Sequence, residues 1–80
     1  MSVVIDQPAC IRAVYQQGNI CVSYSDGIEV QFPASANRRL RGQPREKLNR
    51  IEIGHFGIHW PDLDEDLSHA GLRAGRFGQP

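Results

Sequence analysis

The stretch IRAVYQQGNICVSYSDGIEVQF, residues 11–32, decides the fold. Ile11, Ala13 and Tyr15 alternate with more polar neighbours, as do Ile20, Val22 and Tyr24, and then Ile28, Val30 and Phe32. A two-residue period over short runs is the pattern of half-buried strands. The breaks between the runs set the register. A two-residue loop at Gln17-Gly18 pairs Tyr15 with Ile20 and Ala13 with Val22, which keeps the apolar side chains on one face. At the second break, a two-residue loop at Asp26-Gly27 would set Ser23 opposite Val30 and mix the faces. A three-residue loop, Ser25-Asp26-Gly27, pairs Tyr24 with Ile28, Val22 with Val30 and Ile20 with Phe32, with Gly27 in the left-handed position of a bulged turn. The three-residue loop is expected, and with it a three-stranded antiparallel meander.

Working outward, Pro33 ends the third strand because it has no N–H for a ladder. Residues 34–50 lose the alternation, and Ala34, Leu40 and Leu48 are their apolar anchors. A short helix is expected near Ser35 to Leu40, stopped at Gly42, and a second from Pro44 in its first turn to about Asn49. A hairpin follows, with Ile53 paired to Ile58 across Gly54-His55-Phe56-Gly57 and Ile51 opposite Trp60; Pro61 closes it. The acidic stretch Asp62 to Asp66 leads into a helical turn around Leu67 to Leu72. The expected architecture is one α+β domain at residues 9–74, a small two-layer arrangement. It has about five antiparallel strands (three-stranded meander plus a hairpin) with short helices on one face. Residues 1–8 and 75–80 are expected to be flexible.

Composition narrows the function classes. Eighty residues fit one domain with a modest core. Nine basic and nine acidic residues cancel, so the molecule as a whole exerts no long-range pull on nucleic acid or an anionic membrane. Met1 to Pro8 carries no signal-peptide pattern, and no stretch approaches the roughly 18 apolar residues of a membrane span. Cys10 and Cys21 fall on opposite strand faces and lack metal or disulfide spacing, which reads as free thiols in a cytoplasmic protein. Gly-rich phosphate loops, GxSxG and HExxH are missing, so a non-enzyme without a cofactor is expected.

Charge is segregated along the chain. Arg38, Arg39, Arg41, Arg45, Lys47 and Arg50 lie within thirteen residues against one acid, Glu46, a local charge of +5. Such a cluster suits phosphates, an acidic partner, the chain's own acidic stretch, or plain solvation. Asp62, Asp64, Glu65 and Asp66 do not make an EF-hand, because Leu67 and Arg73 stand where glycine and glutamate are needed. Asp66 or Ser68 can instead cap the last helix. His55 and His59 flank the hairpin loop without completing a four-ligand zinc set, and His69 reads as a surface residue. Trp60 is either a core side chain or, with Pro61 and Leu63 following it, the anchor of an interface.

The run Gly57 to Ser68, GIHWPDLDEDLS, followed by Gly71-Leu72, resembles the C-terminal motif of the bacterial family of domain of unknown function 2442, whose pattern is IHWPxLDEDLS. Asp26-Gly27, Pro33 and Leu40 match it too, so the resemblance covers roughly residues 9 to 74. It implies a small α+β domain with no established activity. It also implies a gene placed beside that of another small protein, in the manner of a toxin–antitoxin pair. The leading expectation is therefore a non-catalytic protein-interaction module, antitoxin-like in form. Its contacts would come from the Arg38–Arg50 segment and from Trp60, Pro61, Asp62, Leu63 and Asp64. The rivals are a DNA-binding regulator using the same basic segment, and a small enzyme or metal protein. Exposed sheet edges and zero net charge also favour a homodimer.

Overall fold

The computed structural model describes residues 8–80. The N-terminal segment expected to be flexible lies outside the described residues, apart from Pro8. Strands β1 (Cys10–Gln16), β2 (Asn19–Tyr24) and β3 (Glu29–Pro33) form the meander in the order β1-β2-β3. Its registers are the expected ones. Tyr15 faces Ile20 and Ala13 faces Val22 across the first turn, where Gln17 and Gly18 both adopt positive φ. Two consecutive positive φ values suit the right-handed twist of the flanking strands. Across the second, Val22 faces Val30 and Ile20 faces Phe32, and Tyr24 N donates to Ile28 O at 2.9 Å. Gly27 has φ +90° and donates to Tyr24 O at 3.0 Å, as the bulged turn requires. Ile20, Val22, Tyr24 and Phe32 are consequently buried. Ile11 and Ile28 are exposed. The ladder shifts between Cys10 and Arg12, and Ile11 is left 64% exposed. Both cysteines are free thiols, and Cys10 packs against the core.

The segment after β3 departs from the expected helix at Ser35 to Leu40. Ala34–Ala36 makes a single 3-10 turn, and Asn37 then takes an extended conformation (φ −118°, ψ 124°). The cause is local. The Asn37 Oδ1 accepts from the N–H groups of Arg39 and Leu40 at 2.9 and 3.2 Å, which offers the backbone an alternative to a helix. Its Nδ2 donates to Glu65 Oε2 at 2.7 Å and to Phe77 O at 2.8 Å. Asn37 is 0% exposed, and its amide is satisfied at both ends. Helix α1 (Arg45–Leu48) begins after Pro44, close to the expected place.

The second sheet holds three strands, β4 (Glu52–Ile53), β5 (Gly57–Trp60) and β6 (Glu65–Ser68), so the described residues hold six strands rather than about five. Ile53 faces Ile58 as expected. Ile51 stays outside the ladder, half-buried against the core. The extra strand is the acidic run itself. Ile58 faces Leu67, His59 faces Asp66 and Trp60 faces Glu65, so the family-like motif is a hairpin folded back on itself. Asp64 takes φ +52° in its loop, a conformation that aspartate tolerates better than most residues. Leu67 belongs to the strand, which delays helix α2 to His69–Arg73; Ser68 Oγ caps it by accepting from Gly71 N at 2.9 Å.

Both sheets feed one core. Ile20, Val22, Tyr24 and Phe32 from the first meet Ile58, Trp60 and Leu67 from the second, with Leu40, Leu48 and Leu72 from the connections. Trp60 is 0% exposed, and its indole N–H donates to Leu48 O at 3.0 Å. Residues 75–80, expected as a flexible tail, lie against the domain. The Phe77 ring stacks on Phe32 at 4.5 Å, and Arg38 N donates to Gln79 O at 2.8 Å.

Replacing Asn37 by Ala strands the Phe77 carbonyl and one Glu65 oxygen and leaves the Arg39 N–H without its acceptor, while the Leu40 N–H keeps the Asn37 carbonyl. A loss of about 2 kcal/mol in unfolding free energy is expected, read from urea denaturation midpoints. Arg41→Ala, on the same segment but exposed, should cost less than about 0.5 kcal/mol.

Candidate functional site

Two surfaces are positioned by buried or half-buried polar contacts. The first is the basic segment. Leu40 and Leu48 are buried beneath it, while Arg38, Arg39, Arg41, Arg45, Lys47 and Arg50 are all exposed. Arg50 is spoken for by Asp62, 3.1 Å away. Among the described residues, no carboxylate lies within 4.0 Å of the charged groups of the other five. Three of the four carboxylates of the acidic stretch are instead engaged within the chain. Asp62 holds Arg50, Glu65 holds Asn37, and Asp66 Oδ1 lies 2.7 Å from His59 Nδ1. Of the turn residues read as partner contacts, Trp60 is wholly buried because it plugs the core. Pro61 and Leu63 are half-buried, which leaves Asp62 and Asp64 exposed.

The second surface is the β4–β5 loop, Gly54–Gly57. Sequence reasoning placed His69 at the surface, yet it fastens this loop to the meander. Its Nε2 lies 2.9 Å from the Gly54 carbonyl, which can only accept, so Nε2 carries the proton. In the neutral ring Nδ1 then accepts from the Tyr24 hydroxyl at 3.0 Å. Burial is the main cause that pushes the Tyr24 hydroxyl above its ordinary value, with a smaller push from Cys10, and this keeps it a proton donor. The His69 backbone N–H donates to Phe56 O at 2.8 Å, and Gly54 N donates to Gly57 O at 2.8 Å. Phe56 is nevertheless 83% exposed, with the His55 ring edge-on to it at 4.8 Å, and Ile53 is 46% exposed. Beside them is an open cleft of about 550 Å³ lined by Ile53, Gly54, Phe56, Gly57, His59 and Ser68, among others. The sequence signal for this loop was an aromatic residue set between two glycines.

The same corner is closed by Arg73. Its guanidinium lies 4.9 Å from the Tyr24 ring centroid and donates to both Asp26 oxygens, at 2.6 and 3.3 Å. Those bonds hold the Asp26 carboxyl below its ordinary value. Burial pushes the Cys10 thiol up, so it is not set up as a nucleophile. No three His, Cys, Asp or Glu side chains converge as a metal-binding group among the described residues. No helix of the described residues is long and apolar enough to cross a membrane.

Arg73→Ala should return the Asp26 carboxyl toward the ordinary value of about 3.9, read by carboxyl ¹³C titration. Because the folded value is depressed, this pair stabilises the fold above the unfolded value and the contribution fades as pH falls through the folded one. The variant should therefore lose less of its stability than the parent between neutral pH and acid. Equal Asp26 titration in both proteins would contradict the assignment.

The comparisons agree with this geometry. The model of the family described as "Protein of unknown function (DUF2442)" matches residues 10–78. A crystal structure of a protein of unknown function from Rhodospirillum rubrum is similar with a TM-score of 0.78 and 33% identity, covering 92% of this chain and 94% of that one. The solution structure of an uncharacterized protein from Chromobacterium violaceum is similar with a TM-score of 0.71 and 28% identity, covering 85% of this chain and 66% of that one. None of the curated proteins matches. The motif, the register of its hairpin and the match over residues 10–78 lead to one conclusion: this chain belongs to the DUF2442 family.

Proposed function

We propose that this protein is a non-catalytic interaction module that docks an acidic partner protein through Arg38, Arg39, Arg41, Arg45 and Lys47. The observation that carries this reading is that, among the described residues, none of the five has a carboxylate within 4.0 Å, while three of the four carboxylates in the neighbouring acidic run bond within the chain. A cation already paired must give up one contact to make another, whereas these five need give up only water. Arginine forks bind carboxylates in pairs of bonds and are worth most where a partner excludes solvent. The segment is also held in shape by Asn37, which lowers the ordering cost of docking.

DNA is the less favoured partner on a structural ground. Helices α1 and α2 span four and five residues, too short to serve as a recognition helix in a major groove. Contacts from the basic segment would reach phosphates and carry little sequence information.

The test is a tagged pull-down from the native host with nuclease treatment, looking first for a small protein encoded beside this one, the arrangement implied by the family resemblance. A stoichiometric acidic protein is expected to stay bound after nuclease. Arg38→Glu with Arg39→Glu should weaken it at least about tenfold, as several surface pairs of up to about 1 kcal/mol turn repulsive. Nucleic acid alone in the eluate, with affinity falling by about 0.9 logarithmic units per phosphate contact for each tenfold rise in salt, would overturn the reading.

A further inference from the structure

We propose that the outer face of the second sheet is a docking site for an arginine side chain of a partner protein. The cross-strand registers set Glu52, His59 and Asp66 side by side, one from each strand. Ile58, Trp60 and Leu67 point into the core, so by strand alternation this row faces outward. Adjacent strands lie about 4.8 Å apart, which puts the two carboxylate-bearing positions roughly 10 Å from each other. Asp66 turns Oδ1 to His59 Nδ1 at 2.7 Å, and its side chain remains 77% exposed. Among the described residues, neither Glu52 nor Asp66 has a lysine or arginine within 4.0 Å. Nor does a lysine or arginine line the cleft of about 550 Å³ that both carboxylates border.

The rest of the lining suits a cation carried on an apolar stem. Gly57 leaves the floor bare, and strand pairing enforces this, since a Cβ there would collide with the Leu67 carbonyl. Phe56 stands at the hairpin tip, 83% exposed. Two bonds fix the backbone beneath it, His69 N–H to Phe56 O and Gly54 N–H to Gly57 O. A ring displayed on a pinned loop loses little freedom on docking. A guanidinium can stack on that ring while its fork reaches a carboxylate, and its methylene stem can lie along Ile53. Lysine offers a point charge without a plane. Charge complementarity thus selects a cation, and the exposed ring selects arginine among cations. The site shares no residue with the basic segment and stands or falls separately from the acidic-partner reading.

An NMR titration of the whole ¹⁵N-labelled chain with acetyl-Gly-Arg-Gly-amide tests it, at about pH 8, where imidazole is ordinarily uncharged. Saturable shifts are expected at the amides of Ile53, Gly57, His59 and Ser68, with a Kd of about 1–10 mM for a single side chain. Acetyl-Gly-Gln-Gly-amide, of the same length and uncharged, should produce none. Glu52→Gln and Phe56→Ser should each weaken binding about two- to fivefold, and together about tenfold. Both side chains are exposed and outside the core, so the variants should keep the parent's circular dichroism and urea midpoint. Ile11→Ser, which removes an exposed apolar residue of the first sheet, should leave binding unchanged. Absence of saturable shifts at these amides, equal shifts with the glutamine peptide, or undiminished binding in the double variant would overturn the proposal. So would tighter binding of choline, or the same shifts on concentrating the protein without peptide. Those results would make a small ammonium ion or a second copy the occupant.

Discussion

The carboxamide of Asn37 makes four hydrogen bonds inside the protein, and together they reach three different parts of the chain. Oδ1 gathers the Arg39 and Leu40 amides; Nδ2 takes a Glu65 oxygen from β6 and the Phe77 carbonyl from the C-terminal segment. A buried amide costs several kcal/mol unless both ends are satisfied, so this arrangement tolerates little rearrangement. It sets where the meander ends and turns the basic segment outward. It also brings the last residues back over Phe32. Gly78 belongs to the same constraint: it has φ +86°, and a Cβ there would press on the Asn37 amide.

The family motif is explained by the second constraint, its own pairing. Ile58, Trp60 and Leu67 point into the core, while His59 and Asp66 meet on the opposite face. Asp62 and Glu65 are held by Arg50 and Asn37. A run in which three of four carboxylates bond within the chain is distinctive as sequence without forming a reaction centre. What faces outward lies mainly elsewhere: the basic segment, in which only Arg50 has a carboxylate partner among the described residues, and the exposed Phe56 loop.

The meander was legible because its information is local. Alternation and the position of Gly27 leave one register that keeps Ile20, Val22, Tyr24 and Phe32 together. The segment after Pro33 was misread as helix because its shape depends on a side chain bonding to its own backbone, which apolar spacing does not report. The sixth strand was hidden for another reason. Four carboxylates in five residues look like a solvated turn, and the partners of Asp62, Glu65 and Asp66 lie between seven and 28 residues away in the chain. His69 was likewise opaque, since its partners Tyr24 and Gly54 come together only when the two sheets do. Of the two surfaces, the basic one could be read directly from charge. The exposure of Phe56 could not, because a hairpin loop aromatic is as often folded inward as displayed.

In this account the interior is organised so that two outward surfaces are rigid before any partner arrives. Amide hydrogen exchange followed by NMR tests that claim most directly at Arg39, whose N–H ends on the Asn37 side chain, and at Leu40, whose N–H is shared between that side chain and the Asn37 carbonyl. Both residues sit in a turn-rich, highly charged segment, where unprotected exchange would be the default. The account predicts protection at both amides approaching that of the β2 strand, with that of Arg39 lost in Asn37→Ala while β2 stays protected. Free exchange at Arg39 and Leu40 in the parent protein would show a loose basic segment and contradict it.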